Sequence, residues 1–212
     1  MKKIVIAMAL ILGIAGGNVL AVSERTATGS PVSSARLIAT HDKAKLYKAG
    51  KFNVLVLRGS YRQMGRQYGQ LMKEDLHNMY RVAIENTFIK KEGIPLETLT
   101  EASKAFYDNY PMRVQAIVEG IAETSGLEKE KLAMLAEVVT LVGYAKHANE
   151  GRCSAIAAWG EYTSGGPLVF GRDFDYAPYF RQFAEFTTVV VYNPDDGSIP
   201  VAQIGYVGRW IR

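Results

Sequence analysis

The 212 residues are 48% apolar and 22% charged, a composition that excludes a disordered, collagen-like or disulfide-scaffold chain. Lys and Arg exceed Asp and Glu by four, and discounting Lys2 and Lys3 leaves a surplus of two, too small to argue for nucleic acid.

The chain opens with Lys2-Lys3, an apolar run from Ile4 to Ile14, and Val19-Leu20-Ala21, the three zones of an export signal cut after Ala21. Gly13, Gly16, Gly17 and Asn18 interrupt the apolar run before the ~20 residues of a membrane span are reached. Residues 1–21 are therefore expected to be a signal peptide, with no stable membrane anchor and a secreted or periplasmic destination. Residues 22–45, rich in Ser, Thr, Ala and charge, are expected to form a lead-in of low order.

Phe52-Asn53-Val54-Leu55-Val56-Leu57 predicts a buried strand closed by Arg58-Gly59, and Ser60 caps a helix expected over 61–91, ended by Gly93 and Pro95. Further helices are predicted over 96–108, from Pro111 to the Ser125-Gly126 stop, and over 128–147. The period changes at Gly151. Ser154–Trp159, Pro167–Gly171, Glu185–Tyr192 and Ile199–Tyr206 read as a meander of antiparallel strands, with turns at Thr163-Ser164-Gly165-Gly166 and Asn193-Pro194-Asp195-Asp196-Gly197.

The single cysteine, Cys153, falls at this switch from helices to strands. A lone thiol in an exported protein is a liability unless buried or used, and the bland alternative is an inert core residue. A thiol nucleophile needs a base. Of the available imidazoles, His41 in the lead-in and His77 on an amphipathic helix read as surface residues, and His147, six residues upstream of Cys153, has no surrounding motif of a Cys-His pair. The alternative base is the α-amine of Cys153 itself, set free if the Arg152–Cys153 bond is cut; its ordinary pKa of about 7.7–8.0 suits a base at neutral pH.

Cys153-Ser154-Ala155-Ile156-Ala157-Ala158-Trp159-Gly160, followed by Gly165-Gly166-Pro167-Leu168-Val169-Phe170-Gly171-Arg172-Asp173-Phe174-Asp175-Tyr176, resembles the nucleophile strand and the G-R-N-x-D strand end of the N-terminal nucleophile (Ntn) hydrolases. Within them the chain is most similar to the acyl-coenzyme A:6-aminopenicillanic acid acyltransferase-like group, peptidase family C45, related to choloylglycine hydrolases and acid ceramidase. Upstream, Gly59-Ser60-Tyr61-Arg62-Gln63-Met64-Gly65-Arg66-Gln67-Tyr68-Gly69 resembles the G-S-x-x-x-M-G-x-Q-x-G signature of that group's pro-segment.

The resemblance implies an α+β fold, the αββα sandwich, made by autoproteolysis between Arg152 and Cys153. A mainly helical α-chain would cover 22–152 and a β-chain would begin with 153–212. It implies a hydrolase or acyltransferase acting on a linear, non-peptide amide through an acyl-Cys153 intermediate. Cys153 would be nucleophile and, by its amine, base; Asp175 would orient the amine, and Arg172 would hold the thiolate. Arg172 and Asp175 lie three residues apart, so both face one site only if the strand bends there. Without the resemblance they read as a surface ion pair. Asp173 stands where relatives often have Asn, and a second carboxylate beside Asp175 raises the pKa of one of them.

Family members continue much further than Arg212, and the strands after Cys153 are too few for two packed sheets, so the chain is expected to be an incomplete form. The expected partners are a small acyl amide substrate and the protein's own two chains, with no nucleic acid. Neither clustered His and Cys nor a phosphate loop is present, so no metal or cofactor is expected. Gly59, Gly65 and Gly69 are read as close helix packing, and Trp159, Tyr176, Tyr179 and Phe180 as pocket lining or ordinary packing. The competing functional class is an unprocessed, inactive envelope protein that binds acyl ligands.

Overall fold

A computed structural model describes residues 35–141, 151–166, 168–176 and 178–210, with only the backbone described at 151–153, 172–176 and 178–179. These residues form two units: one holds strands β4 (Gly151–Ala158) and β5 (Val169–Tyr176) with the turn between them, the other holds 35–141 and 179–210. The fold is α+β, with helices and a mixed sheet.

In the larger unit, strands β1 (Arg36–His41), β2 (Ala44–Ala49), β3 (Phe52–Gly59), β6 (Thr187–Pro194) and β7 (Val201–Tyr206) pair in the order β1-β2-β3-β6-β7. Residues 36–49 are thus a hairpin, which corrects the expectation of a loose lead-in. The hairpin turns at Asp42, whose φ of 50° is a conformation that Asp tolerates, and Ala44 and Leu46 are buried on either side of exposed Lys45. Residues 22–34, with the expected signal peptide, lie outside the described residues.

The expected meander is corrected in part: β4–β5 and β6–β7 are antiparallel pairs, but β5 and β6 lie in different sheets, and β6 pairs in parallel with β3, Val54 opposite Val189 and Leu57 opposite Tyr192. Both central strands carry unbroken apolar runs, as parallel strands covered on both faces do. Each expected strand overlaps an observed one, but β5 runs on past the expected Gly171 to Tyr176, and β6 takes in Asn193 and Pro194 of the expected turn.

Ser60 caps α1 (Tyr61–Leu71) in a capping box: its side chain accepts from the Gln63 N–H, and the Gln63 side chain accepts from the Ser60 N–H. The expected single helix over 61–91 is three pieces, α1, α2 (Lys73–Met79) and a π-helical segment Tyr80–Lys91. The Thr87 hydroxyl donates to the Val82 carbonyl five residues back, supporting the wider turn. α3 (Leu96–Tyr107) and α4 (Met112–Ser125) match expectation, and α4 closes on Gly126 at φ 78°. α5 (Lys129–Ala136) is shorter than the expected 128–147. The buried Glu137 accepts from the Tyr110 hydroxyl, and the β-branched run Val138-Val139-Thr140 follows. Residues 142–150 lie outside the described residues.

α1 lies over the sheet, and α4 packs against α1 at a glycine contact. A Cβ on Gly65 would sit 2.9 Å from the Ile117 carbonyl carbon, and one on Gly69 would sit 2.6 Å from the Ile121 oxygen. Gly120 of α4 is equally confined, 2.8 Å from the Arg66 nitrogen. The structure thus agrees with the packing reading of Gly65 and Gly69. Gln67 ties α1 back to β3 by accepting from the Arg58 N–H at 3.0 Å and donating to the Arg58 carbonyl at 2.8 Å. The 59–69 signature therefore has a structural account: cap, buried Met64, helix contact and strand tie.

Candidate active site

The unit holding β4 and β5 is one antiparallel ladder that runs without a register break from Gly151 opposite Tyr176 to Ala158 opposite Val169. It brings together the two sequence segments on which the resemblance rests. Cys153 stands opposite Phe174, Arg152 opposite Asp175, Ser154 opposite Asp173 and Ala155 opposite Arg172.

In a regular ladder, alternate positions and their cross-strand partners form one set. Cys153, Phe174, Ala155 and Arg172 belong to one set; Arg152, Asp175, Ser154 and Asp173 belong to the other. Described register thus carries no bend that would join Arg172 and Asp175 in one set. It gives Cys153 and Arg172 common membership and sets Asp175 across from the residue that precedes Cys153, beside the Arg152–Cys153 peptide bond.

The rest of this hairpin is apolar and open to solvent. Ile156 is 72% exposed, Trp159 63% and Tyr162 93%, and Glu161 is the one charged residue between Cys153 and Arg172. The tight turn at its far end uses Ser164 at φ 52° and Gly165 at φ 73°, as the Thr-Ser-Gly-Gly signal anticipates.

The other singled-out residues separate into two groups. Trp159 is exposed, whereas Phe180 is buried in an aromatic cluster with Phe183, at 5.4 Å between centroids, and Tyr206, at 6.2 Å. The side chains of Tyr176 and Tyr179 lie outside the described set, as does all of His147. His41 ends β1 with its Nε2 3.7 Å from the Asp42 carboxylate. His77 donates from Nε2 to the Ser125 carbonyl at 2.9 Å, satisfying the end of α4.

His77 also borders a shallow cleft of about 340 Å³ with Tyr80, Arg81, Glu85, Leu127 and Lys131. Its cations have partners: Arg81 donates to Asn78 at 2.8 Å, and Lys131 lies 3.4 Å from Glu128 and over the Tyr80 ring. Asp75 is a further half-buried carboxylate, accepting from Asn53 Nδ2 at 3.1 Å, with Asn53 Oδ1 in turn accepting from Lys48 at 3.0 Å. Burial raises its pKa, and Lys48 opposes that rise. Sequence reasoning missed this relay because its members come from β2, β3 and α2.

Among the described residues no group of three or more His, Cys, Asp or Glu could hold a metal ion, and no helix is long and apolar enough to cross a membrane. No protein-family model matches the chain, and no curated protein matches it.

Proposed function

We propose that this protein is an exported, self-processing cysteine hydrolase of the Ntn type, with the αββα sandwich of that class, cleaving or transferring the acyl group of a linear amide. The observation that carries the reading is the β4–β5 register. Two segments chosen for their motifs lie opposite each other, with Cys153 and Arg172 in one set and Asp175 opposite Arg152.

The chemistry follows from those positions. The Cys153 sulfur attacks the Arg152 carbonyl carbon, a C–S bond forms, the C–N bond breaks, and the thiol proton ends on the departing nitrogen. Water then hydrolyses the thioester, leaving a carboxylate on Arg152 and a free thiol and amine on Cys153. In turnover that amine takes the thiol proton as the sulfur attacks the substrate amide and returns it to the leaving amine; water or an acceptor amine then attacks the acyl-Cys153 thioester, giving up a proton that restores the thiol as the acyl group departs. Arg172 favours the thiolate, and Asp175 orients the amine. No cofactor or metal enters these steps, and the partners are the acyl amide and the two chains produced by the cut.

The test is intact mass and N-terminal sequencing of the protein purified from its native source, beside Cys153→Ala. The expected result is a fragment beginning at Cys153 in the wild type and none in the variant. An intact wild-type chain with an unreactive thiol and stoichiometric binding of an acyl ligand would replace catalysis with the envelope-binding reading. Activity lost in His147→Ala without internal cleavage would point to a His-assisted thiol instead.

A further inference from the structure

The ladder also gives Arg152 a part, resting on the self-cleavage reading above. β4 carries one charged residue, Arg152, and β5 carries three, Arg172, Asp173 and Asp175; Cys153 and Tyr176 are the remaining titratable groups of the two strands. Asp173 and Asp175 fall in the same set, two positions apart, and Arg152 is the one cation of that set, directly opposite Asp175. Two neighbouring carboxylates raise the pKa of one of them, whereas an opposite charge directly across an antiparallel pair is favourable.

We infer that Arg152 is a placeholder for the α-ammonium that cleavage creates. In the uncut chain it is the cation at the register position across from Asp175, favouring the pairing of β4 beside the scissile bond. Cutting ends this role. Arg152 then bears a terminal carboxylate as well as its guanidinium, and its net charge falls to zero. The new amine of Cys153, with an ordinary pKa of about 7.7–8.0, becomes that cation each time it takes the thiol proton. Arg152 is thus a positioning residue for processing and has no part in turnover.

The experiment follows self-cleavage of the full chain by timed intact mass, in low and high salt, in the wild type, Arg152→Gln and Arg152→Lys. Cleavage of Arg152→Gln is expected to be about two- to fivefold slower at pH 7, the scale of a cross-strand charge pair. Lys is expected to restore the rate, and high salt is expected to narrow the gap by screening the charge pair. Once cut, Arg152→Gln should turn over an acyl amide at the wild-type rate. In the uncleavable Cys153→Ala chain, a carboxyl NMR titration should show the Asp175 pKa rising when Arg152 becomes Gln. Equal cleavage rates in wild type and Arg152→Gln, failure of Lys to rescue, or an unmoved Asp175 titration would overturn the placeholder role while leaving self-cleavage intact. A wild-type chain that never cuts would overturn both.

Discussion

Replacing Gly65 by Ala tests whether the 59–69 signature is a helix-docking device. The added Cβ would meet the Ile117 carbonyl oxygen and lie 2.9 Å from its carbon and 3.0 Å from the Gly120 Cα. All three are backbone atoms, so no side-chain rotation relieves the clash. Ordinary carbon contacts are about 3.5–4.0 Å, so α1 and α4 must part by roughly 0.5–1 Å. Overpacking of this kind costs about 1–3 kcal/mol, against about 1 kcal/mol recovered by Ala over Gly in a helix. With rigid backbone on every side the upper end applies, a net loss of about 2 kcal/mol. For a chain of this size that is a fall in Tm of about 4–8 °C by thermal circular dichroism. Gly120→Ala strikes the same contact from the other helix, so the double variant should lose less than the sum of the two. A Gly65→Ala protein that melts at or above the wild-type temperature would refute the docking account.

Two further substitutions probe buried polar groups. Tyr68 is fully buried, its hydroxyl accepts the Gly208 N–H at 2.9 Å, and its ring meets Trp210 edge-on at 6.4 Å. Tyr68→Phe keeps the ring and orphans that N–H, so a urea midpoint lowered by the equivalent of about 1–3 kcal/mol is expected, and an unmoved midpoint would deny the bond its role. Burial raises the Asp75 carboxyl above its ordinary 3.8, with Lys48 opposing. Stability linked to a raised carboxyl is fully present below its unfolded pKa and is lost as pH rises through the folded one. Asp75→Asn keeps an acceptor for Asn53, so it should raise Tm at pH 7 and leave it unchanged near pH 3; a lower Tm at pH 7 would mean that the charge is stabilising.

Much of the larger unit is legible in the sequence because local chemistry marks it. Ser60 with Gln63, Pro111 and Gly126 are end signals that need no tertiary context, and the short β-branched apolar run of β3, closed by Arg58-Gly59, favours a buried strand. Partnership is less legible. The runs of β3 and β6 signal burial on two faces, yet nothing local says that they pair with each other in parallel. The 36–49 hairpin was hidden by its Lys and Arg residues, although the alternation of Ala44, Lys45 and Leu46 carried the signal. The helical period runs through 61–91 without a break, so the change of pitch at Tyr80 comes from Thr87 bonding to Val82 and from packing rather than from the apolar pattern.

The candidate site shows the same division between chemistry and placement. Cys153, Arg172 and Asp175 can be chosen by residue type and motif, and a three-residue spacing already warns that Arg172 and Asp175 alternate. Register adds the partner of each: Ala155 for Arg172 and Arg152 for Asp175. Because the nucleophile's sulfur belongs to a side chain and its base to the backbone, two auxiliary groups in opposite sets suit a single N-terminal residue better than they would suit a thiol with a separate imidazole. Alternation is therefore no obstacle to the proposed chemistry. In the proposed chemistry it assigns the thiolate to the set that holds Arg172 and the amine to the set that holds Asp175, and Arg152 is the charge that the proposed cut would remove from across Asp175.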